Sequence, residues 1–382
     1  MNRSDPITPR GTSTPIDLVL AIDSLHSGGA EKQLLWMAET LATEGIACAV
    51  FELRCTPGNR RLERLITTVA NSGVEIHRSA KGETYLHAWA RFRRLLRSQP
   101  KAVVWTWGYR ADILMLLWLG LHRRSWLSSL RFASPDYIRR GRWLTNLCRR
   151  RVTRYVANSW ANCEMLEREC PGVMPICRVV YNAVEELKRE PVALPVALPR
   201  PFRVHMLGNI DPVRKGYDYA LELAERLRAE RWPIEIHVAG RLDSGRWLPD
   251  EIVRRELGGR MFYDGETDDP IGFLRAGHAY LLTSRTEGTP NSLLEAMSVG
   301  LPAVATKVGD LERLAVDGEH LRLVAIGDIA GMQAALAGMI ADWPAAVAMG
   351  RRGRNWCENM FSAQASKAQL LRVVQEVIRR DL

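Results

Sequence analysis

The sequence has no apolar run long enough to cross a bilayer. Its longest, Ile113 to Leu121 (ILMLLWLGL), is nine residues, where a spanning helix needs about twenty. The first fifteen residues, MNRSDPITPRGTSTP, lack the apolar centre of a secretory signal and read as a disordered tail, 1–15. Cysteine is sparse: seven, an odd number, with no Cys-x-x-Cys spacing. That argues against structural zinc and against a disulfide framework, and it fits a reducing cytoplasm. Acidic residues are almost missing from one stretch. Between Leu86 and Tyr155 stand 16 Lys and Arg, with only Asp112 and Asp136 against them.

What is present is an ordinary globular composition, 47% hydrophobic and 25% charged, in a chain of 382 residues. That length points to two domains. The net charge of +10 sits entirely in the first half: residues 1–186 carry 27 basic against 17 acidic residues, and 187–382 carry 26 of each. IDLVLAID, a glycine-containing loop SLHSGGAEKQ, a helical pattern over 31–43 and ACAVFEL open the chain as β-loop-α-β. VEIHR, AVVWTW, RYVANS and RVVYNAV read as further strands. A Pro-rich stretch follows, and the pattern restarts with FRVHMLGNI, GYDYALELAERLRAE and IEIHVAG, then RMFYDG, AYLLTS and PAVAT. The expected fold is α/β: two tandem Rossmann-like doubly wound domains facing a central cleft. The expected boundaries are 16–186 for the first domain, 187–201 for a linker, 202–361 for the second domain, and 362–382 for a C-terminal helix crossing back to the first.

Chemistry concentrates in EGTPNSLLEAMSVG, 287–300. Leu281 to Ser284 ends a strand; Pro290 suits the first helical position, with Thr289 as its cap. The N–H groups of Asn291, Ser292 and Leu293 would then lack helical partners, and such an end favours an anion. Glu287 stands at its mouth. Glu295 lies one turn further in, suited to accept hydrogen bonds from a diol such as ribose. A second reading, an acidic loop before a capped amphipathic helix, involves no ligand.

The segment EGTPNSLLEAMSVGLPAVAT resembles the E-x7-E region of retaining glycosyltransferases of the GT-B fold, family four (glycosyl transferases group 1). The resemblance implies that Glu287 lies by the donor sugar and Glu295 by the ribose. The backbone of Gly288, Thr289, Pro290, Asn291, Ser292 and Leu293 would meet the diphosphate. LGNIDPVRKGYDYALELAERL is similar to the family's basic segment. Lys215, before Gly216, matches its lysine; Asn209 stands where its arginine often follows the strand glycine, and Arg214 is the substitute. Gly28 and Gly29 resemble its glycine loop. The family's histidine near the sugar has no counterpart in VVWTWGYRADI, where Trp107 and Tyr109 stand; these and Asp136 are the acceptor-side candidates. His26, beside the glycine loop, reads as a loop residue. No Asp-x-Asp pair occurs, so neither a metal nor any other cofactor is implied.

The basic, Trp-rich 86–155 region fits an anionic membrane surface, a nucleic acid, or a solvated face. No nucleic-acid motif occurs in it, and no nucleic acid is expected as a partner. In YLHAWARFRRLLRSQ, Leu86, Trp89, Arg93 and Leu96 fall near one helical face. The expectation is a cytoplasmic enzyme, peripheral on the inner membrane face. It would move a sugar from a nucleoside-diphosphate donor, UDP before GDP, to a saccharide or lipid-linked acceptor in surface polysaccharide or lipopolysaccharide synthesis. The alternatives are a silent nucleotide-sugar sensor or membrane scaffold, and a nucleotide-sugar epimerase.

Overall fold

The computed structural model describes residues 15–25, 28–55, 60–119, 124–131, 142–188, 190–242 and 245–381. Asp136, His26 and nearly all of the expected N-terminal tail lie outside the described residues. The chain divides into two units, one of residues 1–183 with 366–382 and one of 184–365.

The first unit is built on a sheet of seven strands: β1 (Leu18–Ile22), β2 (Cys48–Glu52), β3 (Glu75–His77), β4 (Val103–Trp107), β5 (Trp126–Leu130), β6 (Arg154–Ala157) and β7 (Cys177–Val179). Their order is β3-β2-β1-β4-β5-β6-β7, and the pairings are parallel, Leu18 opposite Cys48 on one side and Val103 on the other. All five residues of β1, β2 and β4 are buried, because helices cover both faces of such a sheet; this is why they read as unbroken apolar runs. Glu52 ends β2 fully buried. Its carboxylate accepts the N–H groups of Leu25 (2.8 Å) and Ser79 (3.3 Å) and pairs with Arg78 Nε (2.7 Å), joining three loops at the C-terminal edge of the sheet. The helix Ala363–Asp381 belongs to this unit from Ser366 onward. Its Gln369 accepts the Tyr181 N–H, and its Glu376 pairs with Arg154 and Arg178.

The second unit carries β8 (Phe202–Leu207), β9 (Ile234–Ala239), β10 (Met261–Gly265), β11 (Ala279–Leu282), β12 (Ala303–Thr306) and β13 (Arg322–Val324). They form a parallel sheet in the order β10-β9-β8-β11-β12-β13. In each sheet the order reverses once, between β1 and β4 and between β8 and β11. The loops beyond those strand ends are where such folds hold ligands. The Pro-rich stretch packs within the second unit: Val192 N–H donates to Val299 and Trp343 Nε1 to the Pro195 carbonyl, both at 2.8 Å.

Several expectations change here. WLSSL was read only as part of a basic stretch, yet it is β5, an inner strand. Its hydroxyls are satisfied inside the protein: Ser129 Oγ accepts from Trp105 Nε1 (2.9 Å) and Ser128 Oγ donates to Asp112 (3.1 Å). Trp105, Trp107, Trp118 and Trp126 are core residues, so most of the tryptophan in the basic stretch is packing. The helix Tyr85–Ser98 buries Ala88, Phe92, Leu95 and Leu96, a stripe that leaves Leu86 off it and 73% exposed. Leu86 and Leu96 therefore do not share a face.

Candidate active site

Beyond β8 the chain turns through Gly208 and Asn209 and makes a compact loop to Gly216. There Asp211 captures Arg214, accepting its backbone N–H at 2.9 Å and its Nε at 3.2 Å. Arg214 is thus held by its own loop. Asn209 contributes its carbonyl to the Asp211 N–H (3.0 Å). Gly216 sits at φ +66°, and a β-carbon there would run into the Thr283 carbonyl oxygen. Glycine is needed for both reasons. This close approach lets Thr283 Oγ1 donate to the Lys215 carbonyl (2.9 Å) and Arg285 N–H to the Arg214 carbonyl (2.9 Å).

The same approach brings two charged side chains together. Lys215 Nζ lies 2.6 Å from Glu287 Oε1, with side chains 18% and 10% exposed, and Ser284 Oγ donates to the same oxygen at 2.8 Å. Residues 72 apart in sequence meet at the switch point of the sheet. Next to them a small cleft is lined by Leu207, Lys215, Tyr217, Tyr280, Thr283 and Ser284.

Gly288, Thr289 and Pro290 follow, all buried, and the helix Asn291–Ser298 begins. It starts one residue later than the sequence suggested: Pro290, not Thr289, is the cap residue, and it makes no side-chain cap hydrogen bond. The reason is the extended conformation of Pro290, φ −76° and ψ 90°, which leaves its carbonyl to accept the N–H groups of both Leu293 and Leu294 at 3.1 Å. Leu293 N–H is therefore partnered, contrary to expectation. Ser292 Oγ accepts the Tyr280 hydroxyl at 2.7 Å. Glu295 is half-buried on the next turn. Gly309, at φ +58°, backs this loop so closely that a β-carbon would strike the Gly288 carbonyl.

Residues 201–342 match the pattern of one protein family, described as glycosyl transferases group 1. That match lies within the second unit. The chain is similar to the MMP alpha-(1->4)-mannosyltransferase of Mycolicibacterium hassiacum, 31% identical over 184 residues, 47% of this chain and 44% of that protein. It is also similar to the lipopolysaccharide core biosynthesis glycosyltransferase LpsE of Rhizobium meliloti, 30% identical over 152 residues, 40% of this chain and 44% of that one. The chain thus spans under half the length of each of these two relatives. Among solved structures, Anabaena HepE in complex with UDP and glucose superposes with a TM-score of 0.78 at 18% identity, over 94% of this chain and 99% of HepE. The fold is that of GT-B glycosyltransferases, as the sequence implied.

The structure brings together Lys215, Glu287 and the helix entry that the sequence singled out, along with three partners it did not name. Ser284 and Tyr280 hold Glu287 and Ser292. Arg285 forks onto Asp218 (2.7 and 2.5 Å), donates to the Val213 carbonyl (2.6 Å) and covers the Tyr219 ring at 3.8 Å. The signal was an arginine two residues before Glu287 and an aspartate three after Lys215.

The remaining candidates lie in the first unit. Gly29 begins the helix Gly29–Thr43 and Gly28 caps it in an extended conformation, φ −103°. The three atoms nearest to a β-carbon on Gly28 are the carboxylate end of the Glu31 side chain, which is free to shift, so this contact does not by itself require glycine. Trp107 ends β4 and is 3% exposed; Tyr109 opens the next helix, partly buried against the core. No described helix is long and apolar enough to cross a membrane.

Proposed function

We propose that the protein is a retaining glycosyltransferase. It moves a hexose from a nucleoside-diphosphate sugar, UDP in preference to GDP, to a saccharide or lipid-linked saccharide of the bacterial surface. The observation that carries this is the Lys215–Glu287 pair beside the helix entry at Pro290. A cation and a helix N-terminus together suit a diphosphate. The carboxylate beside them suits the sugar that the diphosphate carries.

In this reading an acceptor hydroxyl attacks the anomeric carbon as the bond to the diphosphate breaks. The proton passes to the departing phosphate oxygen, and attack and departure share one face of the ring. Lys215 neutralises the leaving group, which is electrostatic stabilisation of charge that grows in the transition state. Glu287 orients the sugar, and Glu295 holds the ribose. Arg214, tied to Asp211, assists only if the nucleotide draws it away. Neither a metal nor another cofactor is needed.

The acceptor is lipid-linked or otherwise presented at an anionic membrane, on the cytoplasmic side. Support comes from the basic charge of the first unit and from exposed leucines in that region: Leu86, Leu117 and Leu147. Apolar side chains amid Lys and Arg suit an anionic bilayer surface. The competing reading, a silent nucleotide-sugar sensor, draws on Asn209 and on the capture of Arg214 by Asp211.

The test is nucleotide release from a panel of UDP- and GDP-sugars by wild type and Glu287→Ala, with and without bacterial lipid extract. Release of one nucleotide by wild type alone, stimulated by lipid, is the expected result. Tight nucleotide binding without release from any donor would favour the sensor.

A further inference from the structure

Arg131 is the residue immediately after β5, at the C-terminal edge of the first unit's sheet. Its guanidinium lies over the Trp107 ring, 4.1 Å from the centroid. Its terminal nitrogens donate to Asn182 Oδ1 at 3.1 Å and to Met37 Sδ at 3.4 Å. Both acceptors are neutral, and a thioether is a weak one. Arg131 Nε is buried with no acceptor, and so is Nε1 of the Trp107 beneath it. Burial pushes the guanidinium down to about 9, and no carboxylate among the described residues opposes that shift. Three other buried or half-buried arginines of this unit each have an acid: Arg78 has Glu52, Arg91 has Glu83, and Arg154 has Glu376. A half-buried cation with no counter-charge among the described residues is costly, and two orphaned buried donors add to the cost. The missing element has the chemistry of an oxyanion, which a planar guanidinium holds by two parallel hydrogen bonds.

We propose that Arg131, seated on Trp107, is an oxyanion subsite of the first unit that takes a carboxylate or phosphate group borne by the acceptor. The naming of the acceptor rests on the transferase reading; the subsite does not. It narrows the acceptor to an anionic one, either an acidic sugar or a phosphate-linked saccharide.

The full-length protein is titrated with D-glucuronate, inorganic phosphate and neutral D-glucose by calorimetry, as wild type, Arg131→Gln, Arg131→Lys and Glu287→Gln. At least one of the two anions is expected to bind wild type and to lose tenfold or more in affinity in Arg131→Gln. Arg131→Lys, which keeps the charge without the planar fork, is expected to fall between them. Preference for glucuronate identifies an acidic sugar, and preference for phosphate a phosphate-linked acceptor. Glu287→Gln is expected to bind the anion as wild type does. If no donor sugar is ever turned over but Arg131 still governs anion binding, the transferase reading fails and the subsite stands. If neither anion binds wild type, or if both bind it and Arg131→Gln equally, the subsite is wrong. Circular dichroism of each variant establishes folding, and Arg131→Lys carries the comparison if Arg131→Gln does not fold.

Discussion

Gln33 answers both main-chain groups of Ala183. Its Nε2 donates to the Ala183 carbonyl and its Oε1 accepts the Ala183 N–H, each at 2.9 Å. Ala183 is the last residue of the first unit before the chain enters the second, and Gln33 is buried in the helix after the glycine loop. Gln33→Leu keeps the volume but leaves a buried N–H and a buried C=O unpaired. The expected cost is about 2–4 kcal/mol, read from urea denaturation. A loss near zero would mean that water reaches Ala183.

Lys215 and Glu287 are coupled through a contact with little water around it. Lys215→Met alone leaves Glu287 with Ser284 as its neutral donor; Glu287→Gln alone leaves a half-buried ammonium. Each single change is expected to destabilise by about 1–3 kcal/mol, and the double change by less than their sum. Turnover should behave differently, with each single variant falling by about 100-fold or more and the double no better. Additive stabilities in the double-mutant cycle would show that the pair is held apart in solution.

Gly216 and Gly45 separate strain from collision. Both have positive φ, +66° and +80°, but a β-carbon on Gly45 meets nothing within 4 Å, whereas one on Gly216 meets the Thr283 carbonyl. Gly45→Ala is expected to cost about 1–2 kcal/mol. Gly216→Ala should cost clearly more and should also weaken nucleotide binding, because it pushes the Lys215 loop from the Ser284 loop. Equal costs would refute the close approach.

Asp112 is half-buried beside β4 and β5, accepting from Thr106 Oγ1 (2.5 Å) and from Ser128. Burial raises its carboxyl to about 7, and the hydroxyls of Thr106 and Ser128 only partly oppose this; the neighbouring Cys148 and Tyr155 are themselves pushed up by burial and stay neutral. The folded state therefore holds a proton that the unfolded chain releases near the ordinary Asp value. The stability this group contributes is full below about pH 4 and is lost as pH rises to about 7. Asp112→Asn keeps an acceptor for both hydroxyls without the titration. The stability difference, variant minus wild type, is expected to grow between pH 4 and 7 and then level off. A difference flat in pH would mean that Asp112 is ionised throughout.

Much of this architecture was legible in the chain. LVLAI, CAVFE, VVWTW and FRVHML announce buried parallel strands because such strands are apolar on both faces, and the Glu287–Glu295 spacing announces a strand end meeting a helix entry. WLSSL stayed hidden because its two serines look solvated, and only Asp112 and Trp105, distant in sequence, reveal that their hydroxyls are spent inside. RLV of β13 is too short to carry periodicity. The engagement of Arg214 with Asp211 was within reach, three residues apart, but that of Lys215 with Glu287 needed three crossovers of the sheet. The tryptophans misled because composition cannot tell a side chain in the core from one at a surface.

Arg285 has a last consequence. By gripping Asp218 and the Val213 carbonyl, it fastens the loop after β11 to the loop after β8, so the two sides of the cleft behave as one stiff bracket. Rigidity at Glu287 is in that sense borrowed from Asp218, and in the proposed reaction the sugar's orientation would depend on an aspartate it never meets.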